Sequence, residues 1–182
     1  SIQDCVLHAF NPELSEGPSP TISAKKQPQH QSSKTYQSGD CSLRGKGLDS
    51  QDDWEIEGVA MVTDVAITYL GYVNRDTGVI EETGHPLDGR AINDKILIYP
   101  KGSGSTVAPY VLMGLEYTGV GPKAIVNRDI CSLTLPACSL LNIPYSHGFD
   151  LDPCLQINDG DKIRLAKNGD EVSITVLERS GD

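Results

Sequence analysis

A chain of 182 residues is long enough for one domain with a real core and a tail. Its net charge of -10 argues against nucleic acid as a partner, and no apolar run approaches the ~18 residues of a membrane-spanning helix. Five cysteines without a C-x-x-C pair, after a start lacking a basic or long apolar segment, predict reduced thiols in a cytoplasmic protein with no metal set of its own.

Residues 1–40 are expected to be a flexible leader or an insertion. Pro, Ser and Gln dominate 11–40 without an apolar period, so that stretch cannot bury enough surface to offset the entropy of ordering. The short apolar piece Cys5 to Phe10 is read as a detached strand. Three lysines and four acidic residues nearly cancel in the leader, so nine of the ten negative charges belong to the body, 41–182.

In the body, Glu55 to Thr63 alternates and then turns continuously apolar, as an interior strand does. Ala66 to Val73 is rich in β-branched and aromatic residues and reads as a second strand. Asn74 to Gly78 is a turn, and Thr83 to Leu87 a loop. Lys95 to Tyr99 (K-I-L-I-Y) is a buried strand that ends at Pro100. A helix is expected over Thr106 to Thr118, with Pro109 in its first turn and Gly119 as its stop. Lys123 to Asn127 reads as a strand, Ile130 to Leu141 as a second helix, and Asn142 to Ser146 as a strand. This alternation predicts parallel pairing. Asn158 to Asp161 lacks the distant Glu of an EF-hand and is read as a turn. The chain closes in a hairpin, with Ile163 and Leu165 facing Ile174 and Val172 across an Asn168-Gly169 turn. The composite is an α/β fold: an antiparallel first part, a parallel middle and few helices on a mixed sheet.

Between strand and helix stands Tyr99 to Ala108, Y-P-K-G-S-G-S-T-V-A. A strand that stops in glycines and restarts as a helix leaves backbone N–H groups and the positive helix end at one spot, which favours an anion. Gly102 and Gly104 let a ligand approach closely, and Ser103 and Ser105 place hydroxyls beside it. A tight Gly-Ser turn that only caps the helix accounts for the same residues. The loop is neither a Walker A motif nor a dinucleotide fingerprint.

The run from Gly71 to Thr106, with its D-x-x-T-G, H-P-L-x-G and P-x-G-x-G-S pieces in order, resembles the small subunit or swivel domain of aconitase X. The likeness continues through G-P-K-A-I-V (Gly121 to Val126) to D-G-D-K-I-R-L and covers roughly Leu43 to Val176. It implies a swivelling β/β/α domain that closes over a large catalytic part, either a separate subunit or a fused domain. That partner would carry an iron–sulfur cluster. Known members dehydrate cis-3-hydroxy-L-proline or mevalonate 5-phosphate. The resemblance places the catalytic base on Ser105 and a small anionic substrate against Lys101, Gly102, Ser103, Gly104 and Thr106. His85 is the histidine expected to reach substrate or partner. Aconitase-type swivel domains follow the serine with an arginine, where this chain has Thr106-Val107-Ala108. Many aconitase X members read G-R-G-S, and Ser103 stands where that arginine would be. The chain is therefore expected to be the swivel part of a hydro-lyase, the alternative being a non-catalytic anion-binding or scaffold domain.

A hydroxyl is a poor base unless backbone N–H groups and a helix N-terminus stabilise its negative form, which the glycine loop would supply. His147, just past a strand end, is a weaker candidate. Asp76 and Asp88 are read as turn formers and Trp54 as core or domain interface.

Overall fold

The computed structural model describes residues 42–181. The leader 1–40 and its Cys5–Phe10 strand lie outside the described residues. Nine strands and three helices follow in order: β1 (Ser42–Lys46), β2 (Trp54–Val62), β3 (Ile67–Thr68), β4 (Lys95–Tyr99), β5 (Gly102–Ser103), α1 (Ala108–Tyr117), β6 (Ala124–Asn127), α2 (Leu135–Leu141), β7 (Tyr145–Ser146), α3 (Pro153–Gln156), β8 (Lys162–Asn168) and β9 (Glu171–Glu178).

Seven of the strands form one mixed sheet in the order β1-β9-β8-β2-β4-β6-β7. The run β2-β4-β6-β7 is parallel, as the strand–helix alternation predicts, and β2-β8-β9-β1 is antiparallel. The two ends of the sheet meet. Lys46 N–H donates to His147 O at 2.8 Å, and His147 N–H returns a bond to Lys46 O at 2.9 Å. Asp150 N–H adds a bond to Arg44 O. The sheet thus closes on itself, and no long edge is left to pair with another chain.

Closure creates two cores, because successive side chains point to opposite faces. Ile96, Ile98, Ala124, Val126, Ile163, Leu165 and Ile174 point inward and pack together. Leu97, Tyr99 and Ile125 point outward under Val111, Leu112 and Leu115 of α1 and Ala137 of α2. Each fully buried Leu or Ile contributes about 1.5–3 kcal/mol. This is the β/β/α arrangement the resemblance implies.

Several expectations need correction. The antiparallel first part does not exist as such, because β2 finds its antiparallel partner in the distant β8. Ala66 to Val73 yields only the two-residue β3, which pairs in parallel with β5. Tyr69 is drawn into the core, Gly71 turns the chain at φ +84°, and Tyr72 is left outside. Helix α1 starts at Ala108, after Thr106 as Pro109 required, since Ser105 still forms a turn with Val107 and Ala108. The second helix starts at Leu135, where Pro136 fits a first turn, and Ile130 is 64% exposed on the preceding turn. The strand expected from Asn142 begins only at Tyr145, because Asn142 caps α2 in the left-handed region at φ 55°. The hairpin turn lies one residue later than expected. Gly169 has φ +62° and Asp170 does not have a positive φ, a type II′ turn that sets Leu165 opposite Ile174 and Ile163 opposite Val176. This register differs by two residues, so the same faces stay buried.

Asn158 to Asp161 is the turn it was expected to be. The buried Asp161 carboxylate accepts from Asn158 and Ser180 N–H groups and from Arg179. Strand β1 and helix α3 have no counterpart in the expected elements.

Closure depends on Gly45. A Cβ there would lie 2.8 Å from His147 O and 2.7 Å from Phe149 Cδ1. Backbone cannot move aside cheaply, so Gly45→Ala is expected to lower stability by about 1–3 kcal/mol, read from denaturant midpoints. A variant as stable as the parent would show that the seam is loose.

The closing histidine also makes stability pH-dependent. Burial, and then the Lys46 charge, hold the His147 imidazole below its usual range. The unfolded chain then binds a proton more readily than the folded one. Its contribution is complete above the ordinary value of about 6.5 and is lost as pH falls from there toward the lower folded value. A His147→Gln variant should lose less stability than the parent between neutral and mildly acidic pH, measured by thermal melting.

Candidate active site

Strands β2, β4 and β6 release their loops at one rim, the carboxyl end of the parallel half, where sites form in such sheets. Tyr99 ends β4 fully buried, with its hydroxyl 2.6 Å from that of Tyr69. Pro100 then takes the chain off the sheet. Lys101 O accepts the Ile67 N–H at 3.3 Å, and Gly102–Ser103 pairs with Ile67–Thr68. The Gly-Ser segment is therefore half strand and half turn.

Its two glycines have separate reasons. Gly102 is buried, and a Cβ there would meet Thr134 Cγ2 at 3.2 Å and Cys131 Sγ at 3.3 Å. Gly104 sits at φ +93°, where a Cβ would come 2.9 Å from Thr68 Cγ2. Gly102 thus allows a neighbour close, and Gly104 turns the chain outward.

Lys101, Ser103, Gly104, Ser105 and Thr106 share an exposed ridge around the buried Gly102. Ser105 Oγ accepts the Val107 N–H at 3.4 Å, and Ser105 O accepts the Ala108 N–H at 3.0 Å where α1 begins. The hydroxyl oxygen stands at the positive end of a ten-residue helix, and its own proton goes to no partner among the described residues. Such a place stabilises an oxygen that carries or gains negative charge.

His85 is not on the ridge. It is 7% exposed, its Nδ1 accepts the Leu87 N–H at 3.0 Å, and its Nε2 lies 3.3 Å from Ala66 O. With Nδ1 accepting, the proton sits on Nε2. His85 supports the segment that leads into β3, one strand behind the loop. His147 is spent on closing the sheet, and its ring packs against Tyr145. Asn74 Oδ1 caps the N–H groups of Asp76 and Thr77, so Asp76 is a turn residue. Trp54 packs half-buried on the inner core.

A buried polar layer beneath the loop has no counterpart among the sequence candidates. Asn127 and Thr134 are fully buried, and Cys131 Sγ accepts the Gly102 N–H at 3.2 Å. Burial pushes the Cys131 thiol up, but hydrogen bonds from Thr134, Leu133 and Gly102 outweigh it and leave the thiol below its usual range. Cys138, inside α2, is pushed well above that range by burial, and Cys154 is pushed up to about 12. The polar Asn127 at the carboxyl end of an apolar parallel strand was the available signal in the sequence.

Two open grooves flank the fold. One, of about 360 Å³, lies by Asp64, Cys154, Leu155 and Asp159; the other, of about 700 Å³, by Asp49, Asp53, Lys167 and Asp170. Neither contains a residue of the ridge. Ser105 is exposed, as are Val107 and Tyr110, two and five residues further along the chain. Among the described residues, no three His, Cys, Asp or Glu side chains converge as a metal site, and no helix is long and apolar enough to cross a membrane. The described side chains offer no cysteine set that would hold an iron–sulfur cluster.

Known proteins share this construction. The family profile described as the aconitase X swivel domain matches residues 50–174. The phosphomevalonate dehydratase small subunit of Pyrococcus abyssi is 33% identical over 132 residues, covering 72% of this chain and 97% of that protein. The protein of the same name from Methanococcoides burtonii is 35% identical over 109 residues, covering 60% of this chain and 80% of its own. The crystal structure of Thermococcus kodakaraensis aconitase X in its holo form superposes with a TM-score of 0.65 at 28% identity, over 75% of this chain and 99% of that one. With its closed sheet, its outer helices and its Gly-Ser ridge, this chain belongs to the aconitase X swivel domain family.

Proposed function

We propose that this domain is the small subunit of an aconitase X-type dehydratase, that Ser105 is its base, and that its substrate is mevalonate 5-phosphate. The observation that carries this is the exposed Ser105 hydroxyl at the start of α1, accepting the Val107 N–H on an exposed ridge. The relatives described above carry the name phosphomevalonate dehydratase, which favours that substrate over cis-3-hydroxy-L-proline. A subunit called small implies a large one, and the exposed ridge with Val107 and Tyr110 is where it would close. The iron–sulfur cluster belongs to that large part.

Dehydration removes a proton from the carbon next to the carboxylate and expels the hydroxyl from the next carbon as water. Ser105 Oγ, in its alkoxide form, takes the proton, the electron pair left on carbon becomes the new double bond, and the departing hydroxide becomes water with a proton that Ser105 gives back, which restores the alkoxide. The Val107 N–H and the helix end favour the negative form of the oxygen before it accepts. Lys101, exposed two residues before Ser103, holds the anionic end of the substrate in place of the arginine that G-R-G-S members carry. Closure of the large subunit over the ridge would exclude water and complete the site.

Ser105→Ala in the assembled enzyme should lower kcat by ~100-fold or more, the scale of a positioned proton-transfer group. KM should move less, because the hydroxyl acts in the transition state. Stability should fall by under about 1 kcal/mol, since the Oγ bond to Val107 is long. Ser103→Ala is the control in the same loop. Equal losses in both variants would make the ridge a scaffold and not a proton acceptor.

The partner and the substrate are tested separately. The isolated chain should show no iron–sulfur absorbance and no turnover. The assembled enzyme should dehydrate mevalonate 5-phosphate and leave cis-3-hydroxy-L-proline untouched. Turnover of the proline compound alone would overturn the substrate assignment.

A further inference from the structure

The polar layer beneath the ridge does more than fill space. Asn127 Nδ2 donates to Tyr99 O at 3.3 Å, and its Oδ1 accepts the Thr134 hydroxyl at 2.8 Å. Thr134 Cγ2 underlies Gly102, and Cys131 Sγ accepts the Gly102 N–H. Cys131 N–H in turn donates to Tyr145 Oη at 3.3 Å. The backbone adds Arg128 N–H to Tyr99 O and Asp129 N–H to Pro100 O, at 3.2 and 3.0 Å. Every anchor between Tyr99 and Gly102 on this side therefore comes from one turn, 127–134.

Apolar side chains of the same shape would hold such a layer together at little cost in stability. What a satisfied buried network adds is a single arrangement, since any other leaves a donor or acceptor unpaired. Thr134 is the keystone, because its hydroxyl bonds Asn127, which in turn holds Tyr99 O, while its Cγ2 lies against Gly102. Beyond Gly102, Ser103 pairs with Thr68 of β3, and the exposed residues from Gly104 to Val107 then lead to the buried Ala108.

We propose that the buried Thr134–Asn127 pair is the positioning element that sets the Gly-Ser ridge, and with it Ser105, in the geometry for proton transfer. This rests on Ser105 being the base. Thr134 and Asn127 are positioning residues, as neither reaches the exposed ridge.

Two substitutions separate hydroxyl from packing. Thr134→Val keeps the shape and removes the hydroxyl; Thr134→Ser keeps the hydroxyl and removes the methyl beneath Gly102. In the full chain, hydrogen exchange of the Gly102 amide should be ~10-fold faster in T134V, the equivalent of about one hydrogen bond, and near the parent's in T134S. In the assembled enzyme, T134V should lose roughly 10-fold in kcat with KM little changed, and T134S should recover most of it. Asn127→Ala removes both bonds from the other side and should move the same two readouts in the same direction. A purely structural role predicts a lower melting temperature with parental Gly102 exchange and parental kcat, which would overturn the proposal. Unchanged Gly102 exchange sinks the anchoring whatever the activity. Faster exchange together with a parent enzyme that turns over neither hydroxy acid sinks the dehydratase assignment instead.

Discussion

Lys46 and His147 exchange two backbone hydrogen bonds, of 2.8 and 2.9 Å, and through them a seven-strand sheet becomes a closed surface. An open sheet of this size would have an apolar face to cover on each side and two edges to protect. Closure turns one face into an inner core that takes only Cys154 of the short α3 and the Ile157 after it from outside the sheet and its flanking loops, and α1 and α2 cover the other. It also brings β2, β4 and β6 to one rim in a fixed order. The loop after β4 then leaves at the centre of that rim, and its surroundings are decided by the fold.

What leaves the rim is an incomplete site. Ser105 has the electrostatics of a proton acceptor, with a helix start behind it and the Val107 N–H at its oxygen. It is exposed, and among the described residues no metal-ligand cluster stands near it. An enzyme needs such a group enclosed, because a hydroxyl in water is a negligible base. The exposed Val107 and Tyr110 beside it suit a surface that is covered in the assembled enzyme.

Much of this was legible in the residues. Lys95 to Tyr99 and Lys123 to Asn127 are apolar enough to be read as buried parallel strands, and they occupy β4 and β6 within a residue. Gly102 and Gly104 announced a loop with special backbone needs, and the ordered motifs from Gly71 onward announced the family. The rest depended on contacts far apart in the chain. Strand β1 carries one large apolar residue, Leu43, with Gly45 where the next would stand, because His147 and Phe149 occupy that space. The partner of β2 lies more than a hundred residues away, so nothing local could distinguish β8 from β3. Thr134 lay inside a stretch expected to be helical, and only the later start of α2 frees its hydroxyl for Asn127. His85 had the right residue type in a loop but turns inward to hold Leu87 and Ala66.

The central claim is that Ser105 removes a proton from carbon. Exchange of the substrate's proton beside the carboxylate with solvent deuterium reads that step directly, apart from loss of the hydroxyl and release of product. The assembled parent enzyme, incubated with mevalonate 5-phosphate in deuterium oxide, should exchange that proton, and the Ser105→Ala enzyme should fall to the background rate while still binding substrate. Exchange at the parental rate in the Ser105→Ala enzyme would place the base elsewhere and contradict the account.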